Sequence, residues 1–241
     1  MEKPISVVIP FKSDVEKDYR ELFYSLRSLQ SKLKMEIEVF VCGDKINSLH
    51  GLNYITCKDE KGKGVKERNI YRKILAACHD ERVSDDFIFT NDDIFLLKEF
   101  SEIPYYHKGE LMETMKKANM DYRASLNHSR KYLISKGKPT LDYDTHFPIV
   151  YNKRKFIDTF ANEAIDFDQP FGYVIKSIYC NMNYVSGIYG GDCKIKHPKK
   201  YKELLKRIEG KEFFSTSDGC MNEAMIELLN ELYENRSNYE K

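Results

Sequence analysis

The chain has 241 residues, of which 41% are hydrophobic and 32% charged, and its formal net charge is +1. That composition suits a globular protein with a polar surface, and the near-zero charge excludes a chain that attracts DNA or membrane as a whole, leaving only local patches. No apolar run approaches the roughly 20 residues of a membrane helix. The six cysteines (Cys42, Cys57, Cys78, Cys180, Cys193, Cys220) form no CxxC pair, which indicates reduced thiols and a cytoplasmic setting over a zinc or dithiol site.

"ISVVIPF" at 5–11 is a continuous apolar run and reads as a buried first strand, not as a signal peptide. A helix is expected over about 15–32, where Leu22, Leu26 and Leu29 recur at helical spacing. "EIEVFVC" at 36–42 and "NYITC" at 53–57 read as strands. The loop "KDEKGKG" leads into a helix over about 65–79, with Ile70, Ile74, Leu75 and Cys78 as its apolar stripe. Residues 86–90 form the next strand. This alternation predicts an α/β fold with a mainly parallel sheet covered on both faces. In such sheets ligands bind beyond the C-terminal strand ends, and Lys12, Asp44, Asp59 and Asn91-Asp92-Asp93 collect there.

The second half is less regular. Helices are expected at about 109–118 and 152–161, strands around 146–151 and 184–189, a basic stretch at 194–207, and a final amphipathic helix over about 219–234. No linker or repeat divides the chain. It reads as one domain, 1–241, with a nucleotide-binding half to residue 97 and a sheet-rich acceptor half from 98.

Four stretches carry candidate chemistry. In "FIFTNDDIFLL" (87–97) carboxylates interrupt a strand signal, and burying them unpaired costs several kcal/mol each. Carboxylates on a strand-end loop suit Mg²⁺ or Mn²⁺, which take oxygen ligands and share them with substrate phosphates; Asn and Asp are equally turn formers. "KGKGVKERN" (61–69) sets glycines and cations before a helix N-terminus, an arrangement that favours anions or is simply a solvated basic loop. It is neither a Walker motif nor GxGxxG. In "DYDTHFPIVYNKRKF" (142–156), Asp142, Asp144 and His146 alternate and point one way on an extended segment, as an acid/base or ligand cluster or as the polar face of a surface strand. In "YGGDCKIKHPKK" (189–200), Asp192, Lys194, Lys196 and His197 are either placed to reach a diphosphate or a metal or form a solvent-facing basic loop.

Together these pieces resemble the family-2-like nucleotide-sugar glycosyltransferases of the GT-A (Rossmann-like) fold. Those enzymes show an "SVIIP" strand, a "DDGS" turn, a "GxxxARN" helix and a strand ending in "DxD". The counterparts here are "ISVVIPF" (5–11), "VCGDK" (41–45), "GVKERN" (64–69) and "FIFTNDD" (87–93). The chain departs from the pattern in two places: the first carboxylate of "DxD" is the amide Asn91, and "DDGS" shrinks to Cys42-Gly43-Asp44. "NDDIFLL" followed by "THFPIVYNKRKF" is similar to phage and kinetoplastid glucosyltransferases of hydroxymethyl pyrimidines in DNA, and more distantly to Stealth-type sugar-phosphate transferases.

The resemblance implies a mixed, mainly parallel sheet flanked by helices, with a smaller C-terminal sheet and helix part. It implies that Pro10, Phe11, Lys12, Asp44, Asp59, Lys66, Arg68, Asn91, Asp92, Lys194 and Lys196 bind a nucleotide sugar, UDP-glucose type first. Asp93, Asp92 and His197 would hold Mn²⁺ or Mg²⁺. The activity it implies is transfer of a sugar to a hydroxyl acceptor. An inverting reaction needs a base to deprotonate that hydroxyl, with Asp144 first, then Asp168 and Asp192; a retaining one needs none. The basic stretches at 194–207 and 61–73 and the tyrosines 184, 189 and 201 extend the expectation to hydroxymethylated DNA as acceptor. A glycan or lipid-linked saccharide, transfer of sugar 1-phosphate, and a non-catalytic nucleotide- or nucleic-acid-binding module are the alternatives.

Overall fold

The computed structural model describes residues 4–12, 19–161, 165–190, 192–197 and 200–240. Its centre is a five-stranded sheet in the order β3-β2-β1-β4-β7, built from β1 (Ile5–Phe11), β2 (Ile37–Gly43), β3 (Asn53–Ile55), β4 (Asp86–Phe89) and β7 (Ile149–Asn152). The first four strands run parallel and β7 closes the edge antiparallel to β4. The expectation of a mainly parallel sheet holds for the same reason it was drawn. Successive residues of each strand enter opposite cores. Val8, Phe40, Cys42, Phe87 and Phe89 pack on one face, while Val7, Ile9, Val39, Val41 and Ile88 pack on the other. Each such side chain contributes about 1.5–3 kcal/mol by leaving water, and two-sided burial erases the polar alternation of a half-exposed strand.

Helix α1 (Arg20–Lys32) covers the second face through Leu22, Leu26 and Leu29. The expected start of that helix, 15–18, lies outside the described residues. Helix α2 (Lys66–His79) covers the first face through Ile74, Ala77 and Cys78. After β4 the chain turns at Asn91-Asp92-Asp93 and enters β5 (Ile94–Leu96), which leaves the main sheet. It pairs with β10 (Phe213–Thr216), which in turn pairs with β9 (Lys194–Ile195). The pair β6 (Tyr106–His107) and β8 (Ile188–Tyr189) forms a small separate ribbon.

The C-terminal half is not sheet-rich. Among its described residues it carries α3 (Leu111–Lys117), α4 (Met120–Ser135), α5 (Lys153–Phe160), α6 (Ile175–Met182), α7 (Tyr201–Ile208) and α8 (Glu223–Leu232). Helices α4 and α6 escape a periodicity search because their buried faces are partly polar. Ser125 and Ser129 are buried on α4, and Ser177 and Asn181 on α6. These groups are paired: Ser129 Oγ accepts from Val174 N at 2.8 Å, and Ser177 Oγ accepts from Tyr143 N at 2.9 Å. Asn181 exchanges hydrogen bonds with both backbone groups of Leu141. Ser177 and Asn181 therefore position residues 141–143, and Ser129 the start of α6, instead of merely filling space. No helix among the described residues is long and apolar enough to cross a membrane.

Candidate active site

The turn after β4 answers the question its sequence raises. The strand stays buried through Thr90, and Asn91, Asp92 and Asp93 emerge half-buried at its C-terminal end. Thr216 N donates to the Asp93 carbonyl at 3.1 Å, which fixes the turn against β10. Oδ1 of Asp93 is buried and has no hydrogen-bond partner. Burial pushes the Asp93 carboxyl above the usual carboxylate range, and the charge of Lys194 pulls it partly back. A buried carboxylate oxygen without a hydrogen-bond partner is uncommon in a folded chain and calls for an explanation.

Around it the chain brings together residues far apart in sequence. His146 N donates to Asp192 Oδ1 at 2.7 Å, and His146 Nδ1 lies 2.9 Å from Asp192 Oδ2. On the other side of the ring, Nε2 lies 3.1 Å from Lys194 Nζ. Lys176 donates to the carbonyls of Thr145 and Phe147 at 2.7 and 2.8 Å, pinning the backbone on both sides of His146. Lys108 donates to the Asp144 carbonyl at 2.6 Å and stands 3.5 Å from Asp142 and 3.7 Å from Asp192. Burial works against its charge, but the three aspartates prevail and hold Lys108 above its ordinary range. For Lys176, burial wins and lowers it.

Asp142, Asp144 and His146, expected to point one way on an extended segment, lie on an irregular one: Lys108 reaches the Asp142 carboxylate and the Asp144 carbonyl, while the His146 ring turns to Asp192. Asp142 accepts from Thr114 Oγ1 at 2.6 Å and from Asp144 N at 2.9 Å. Asp144 accepts from Tyr122 OH at 2.7 Å. Burial opposes the Asp144 charge, but Lys108, Lys176 and that hydroxyl keep its carboxyl below the usual range. Glu67, on the first turn of α2, faces the same cluster; burial and then Asp144 push its carboxyl up to about 7. Sequence reasoning passed over Glu67 and Lys108 because each looks like a solvated charge.

The nucleotide-side residues fall at the adjoining strand ends. Phe11 is a core side chain, stacked edge-on against Tyr19, so only its carbonyl is available. That carbonyl accepts from Lys73 Nζ at 3.2 Å and from Asp44 N at 3.4 Å. Pro10 is buried beside it and Lys12 is exposed just beyond. Asp59 forms an ion pair with Lys73 at 2.7 Å. Asn69 holds the preceding loop by exchanging hydrogen bonds with both backbone groups of Glu60, which gives the "ERN" segment a structural role. Arg68 is engaged by Glu60 and by Asp168 at 2.7 and 2.9 Å. Asp168 is 87% exposed on the 166–172 loop, which docks on the loop before α2 through Phe171 N to the Gly64 carbonyl. Asp168 thus serves Arg68.

The expected metal trio does not converge. Asp93 and Ile195 flank β10 from opposite sides: Thr216 N donates to the Asp93 carbonyl, and Ser217 N donates to the carbonyl of Ile195, which pairs with Thr216. His197 lies two residues further on, exposed and with a left-handed φ of 49°. Lys196 is exposed and its carbonyl accepts from Arg207. Among the described residues no three His, Cys, Asp or Glu side chains gather as a ready metal cage. A divalent cation held by one or two carboxylates and completed by substrate phosphates needs no such cage, and the unpartnered Asp93 Oδ1 fits that mode.

The sequence matches no family model and no curated protein. Among solved structures the chain is similar to the galactosyltransferase LgtC in complex with donor and acceptor sugar analogs, with a TM-score of 0.51 at 11% identity over 97% of each chain. It is also similar to an active-site mutant of LgtC, with a TM-score of 0.52 at 10% identity over 97% of each chain. The likeness defines the fold, which is that of the GT-A glycosyltransferases.

Proposed function

We propose that this chain transfers a sugar from a nucleoside-diphosphate sugar, UDP-linked first, to a hydroxyl acceptor. The observation that carries the proposal is the buried, unpartnered Asp93 Oδ1 beside Lys194 and Lys66 at the end of β4. The fold puts this carboxylate where open α/β sheets bind their ligands. Lys66, on the first turn of α2, adds its charge to the favourable end of a helix for phosphate. Lys194 supplies a second mobile cation. Both would stabilise charge growing on the leaving diphosphate. Asp93, with Asp92 beside it, would hold Mg²⁺ or Mn²⁺, which when bound neutralises the diphosphate oxygens as a Lewis acid.

On the acceptor side, Tyr189 is 76% exposed on the β8 edge and lies edge-on to His107, three residues before Asp192. An open ring there suits stacking by a sugar or by an unpaired base. Of the two cation runs expected to grip a DNA backbone, the one at 61–73 has its last three cations engaged within the fold. Arg68 and Arg72 pair with Glu60, and Lys73 with Asp59. We therefore read the acceptor as a saccharide hydroxyl first. A hydroxymethyl pyrimidine in DNA, as in the phage and kinetoplastid enzymes the sequence resembles, is the second reading, favoured by the basic helix α7.

The test is a panel of nucleotide sugars with Mg²⁺ or Mn²⁺, with and without saccharide acceptors and hydroxymethylated DNA, assayed for nucleoside di- and monophosphate. Diphosphate release, lowered at least about a hundredfold in Asp93→Asn, supports the proposal. Monophosphate release assigns a Stealth-type sugar-phosphate transferase instead. Nucleotide binding without turnover, unchanged in Asp93→Asn, assigns a binding module.

A further inference from the structure

We propose that His146 is the proton acceptor of the reaction, aimed by Asp192 and covered by Lys194 until a diphosphate draws that lysine away. The inference rests on the sugar-transfer reading and names a base that the sequence alone assigned to Asp144, Asp168 or Asp192.

The hydrogen bonds fix which ring nitrogen is free. Asp192 accepts from the His146 backbone N–H at 2.7 Å. Burial opposes its charge, but hydrogen bonding to His146 holds its carboxyl below the usual range, so it is an ionised acceptor. Its second oxygen, 2.9 Å from Nδ1, therefore takes a proton from Nδ1–H. An ammonium group donates and never accepts, so the 3.1 Å contact from Lys194 Nζ requires a lone pair on Nε2. The imidazole is thus neutral, with its basic nitrogen pointing away from Asp192 and toward the cation that also faces Asp93.

The ring is held still. Lys176 fixes the carbonyls on either side of it, and Asp192 grips both its backbone and its ring. Such immobilisation is what a positioned base requires. It is also reachable, since the side chain keeps 31% of its surface exposed. The rival carboxylates are occupied: Asp144 by Tyr122, Asp168 by Arg68, and Asp192 by His146 itself.

Lys194 connects donor binding to the base. Its long stem lets the ammonium leave Nε2 for the more concentrated charge of a diphosphate, which uncovers the lone pair. The acceptor hydroxyl then gives its proton to Nε2 while its oxygen bonds to the anomeric carbon. The bond from that carbon to the diphosphate oxygen breaks, and the electron pair leaves with the nucleoside diphosphate. The imidazolium, stabilised by Asp192, later returns its proton to water. Attack from the side opposite the leaving group inverts the anomeric centre.

The experiment uses the full chain in two arms. Long-range nitrogen–proton NMR of histidine-labelled protein should show His146 protonated at Nδ1 and bare at Nε2 at pH 7.5. Addition of UDP with Mg²⁺ should move the Nε2 resonance as Lys194 leaves. A proton on Nε2 overturns the proposal, as does an Nε2 resonance indifferent to bound UDP. In the second arm, whichever nucleotide sugar the wild type turns over is given to His146→Gln and Asp192→Asn. Each should lower kcat about 10²–10⁴-fold while the UDP dissociation constant stays within about twofold. A loss in His146→Gln smaller than about tenfold overturns the role of His146 and leaves sugar transfer standing. A wild type that binds UDP and turns over no nucleotide sugar overturns both.

Discussion

Lys73 offers the sharpest check on how the nucleotide side of the site is built. Its side chain is 4% exposed, and its ammonium stands 2.7 Å from Asp59 Oδ1, itself on a side chain 18% exposed. The contact is close, yet Oδ1 receives no well-aligned hydrogen bond, so it acts through charge more than through direction. The same ammonium donates to the Phe11 carbonyl at the end of β1. Replacing Lys73 by Met keeps most of the buried stem and removes the charge. Breaking a buried ion pair from one side costs about 3–5 kcal/mol, because the other charge is left uncompensated. Water reaches part of Asp59, and Phe11 O keeps the Asp44 N–H. The expected loss is therefore at the lower end, about 3 kcal/mol.

Removing both charges in Lys73→Met/Asp59→Asn should recover most of that loss and leave about 1 kcal/mol for the hydrogen bond to Phe11. Urea unfolding of the wild type, both single variants and the double variant reads the cycle directly, with midpoints compared at equal slope. A Lys73→Met protein within about 1 kcal/mol of wild type would refute the reasoning. So would a double variant as unstable as the single, since the cost would then lie in packing and not in the stranded carboxylate.

Two further outcomes follow from the same region. Gly43 has φ of 137°, and a Cβ there would sit 1.9 Å from the Phe11 carbonyl oxygen. Gly43→Ala should therefore cost about 3 kcal/mol or more through strain and overlap, seen as a lowered thermal midpoint; an unchanged midpoint would contradict this packing of β1 on β2. Glu67 titrates from an ordinary 4.5 to about 7 in the fold, through burial first and Asp144 second. Between those values the folded state holds a proton that the unfolded chain has released, so stability falls as pH rises through this window and levels off above it. The gap corresponds to about 3 kcal/mol. Glu67→Gln should unfold at a higher urea midpoint than wild type at pH 8 and at a similar one at pH 4.5, and a difference independent of pH would sink the assignment.

The parts of this molecule that the sequence made legible are those whose chemistry is local. The strands β1, β2 and β4 announce themselves because both faces are buried, and the turn at Asn91-Asp92-Asp93 because carboxylates there contradict the strand around them. Helices α4 and α6 and strand β10 were hidden by buried polar residues. Ser215 and Thr216, both fully buried, make half of β10 look like a loop. The site was legible residue by residue but not as a constellation. His146 meets Asp192 across 46 positions and Lys194 across 48, and no spacing rule spans such separations. Asp144 looked like the base because alternation placed it toward the site. Only the hydrogen bond from Tyr122 shows that it is already committed.

That commitment is a guide to where the chemistry lies. A buried polar group that is fully satisfied contributes to specifying the fold, whereas a buried carboxylate oxygen short of hydrogen bonds at a strand end calls for a further explanation. Asp142 and Asp144 are held by Thr114, Tyr122 and backbone N–H groups under the charges of Lys108 and Lys176. Exchanging either for its amide would break an internal network whatever the protein does. Asp93 differs in kind. Its carbonyl is tied into β10, so the turn is fixed, yet its Oδ1 is buried without a partner. The cost of that burial is a standing one, and a bound cation or diphosphate complex is what would offset it. An activity loss in Asp93→Asn with stability preserved or raised, beside stability losses in Asp142→Asn and Asp144→Asn, would separate the functional carboxylate from the structural ones.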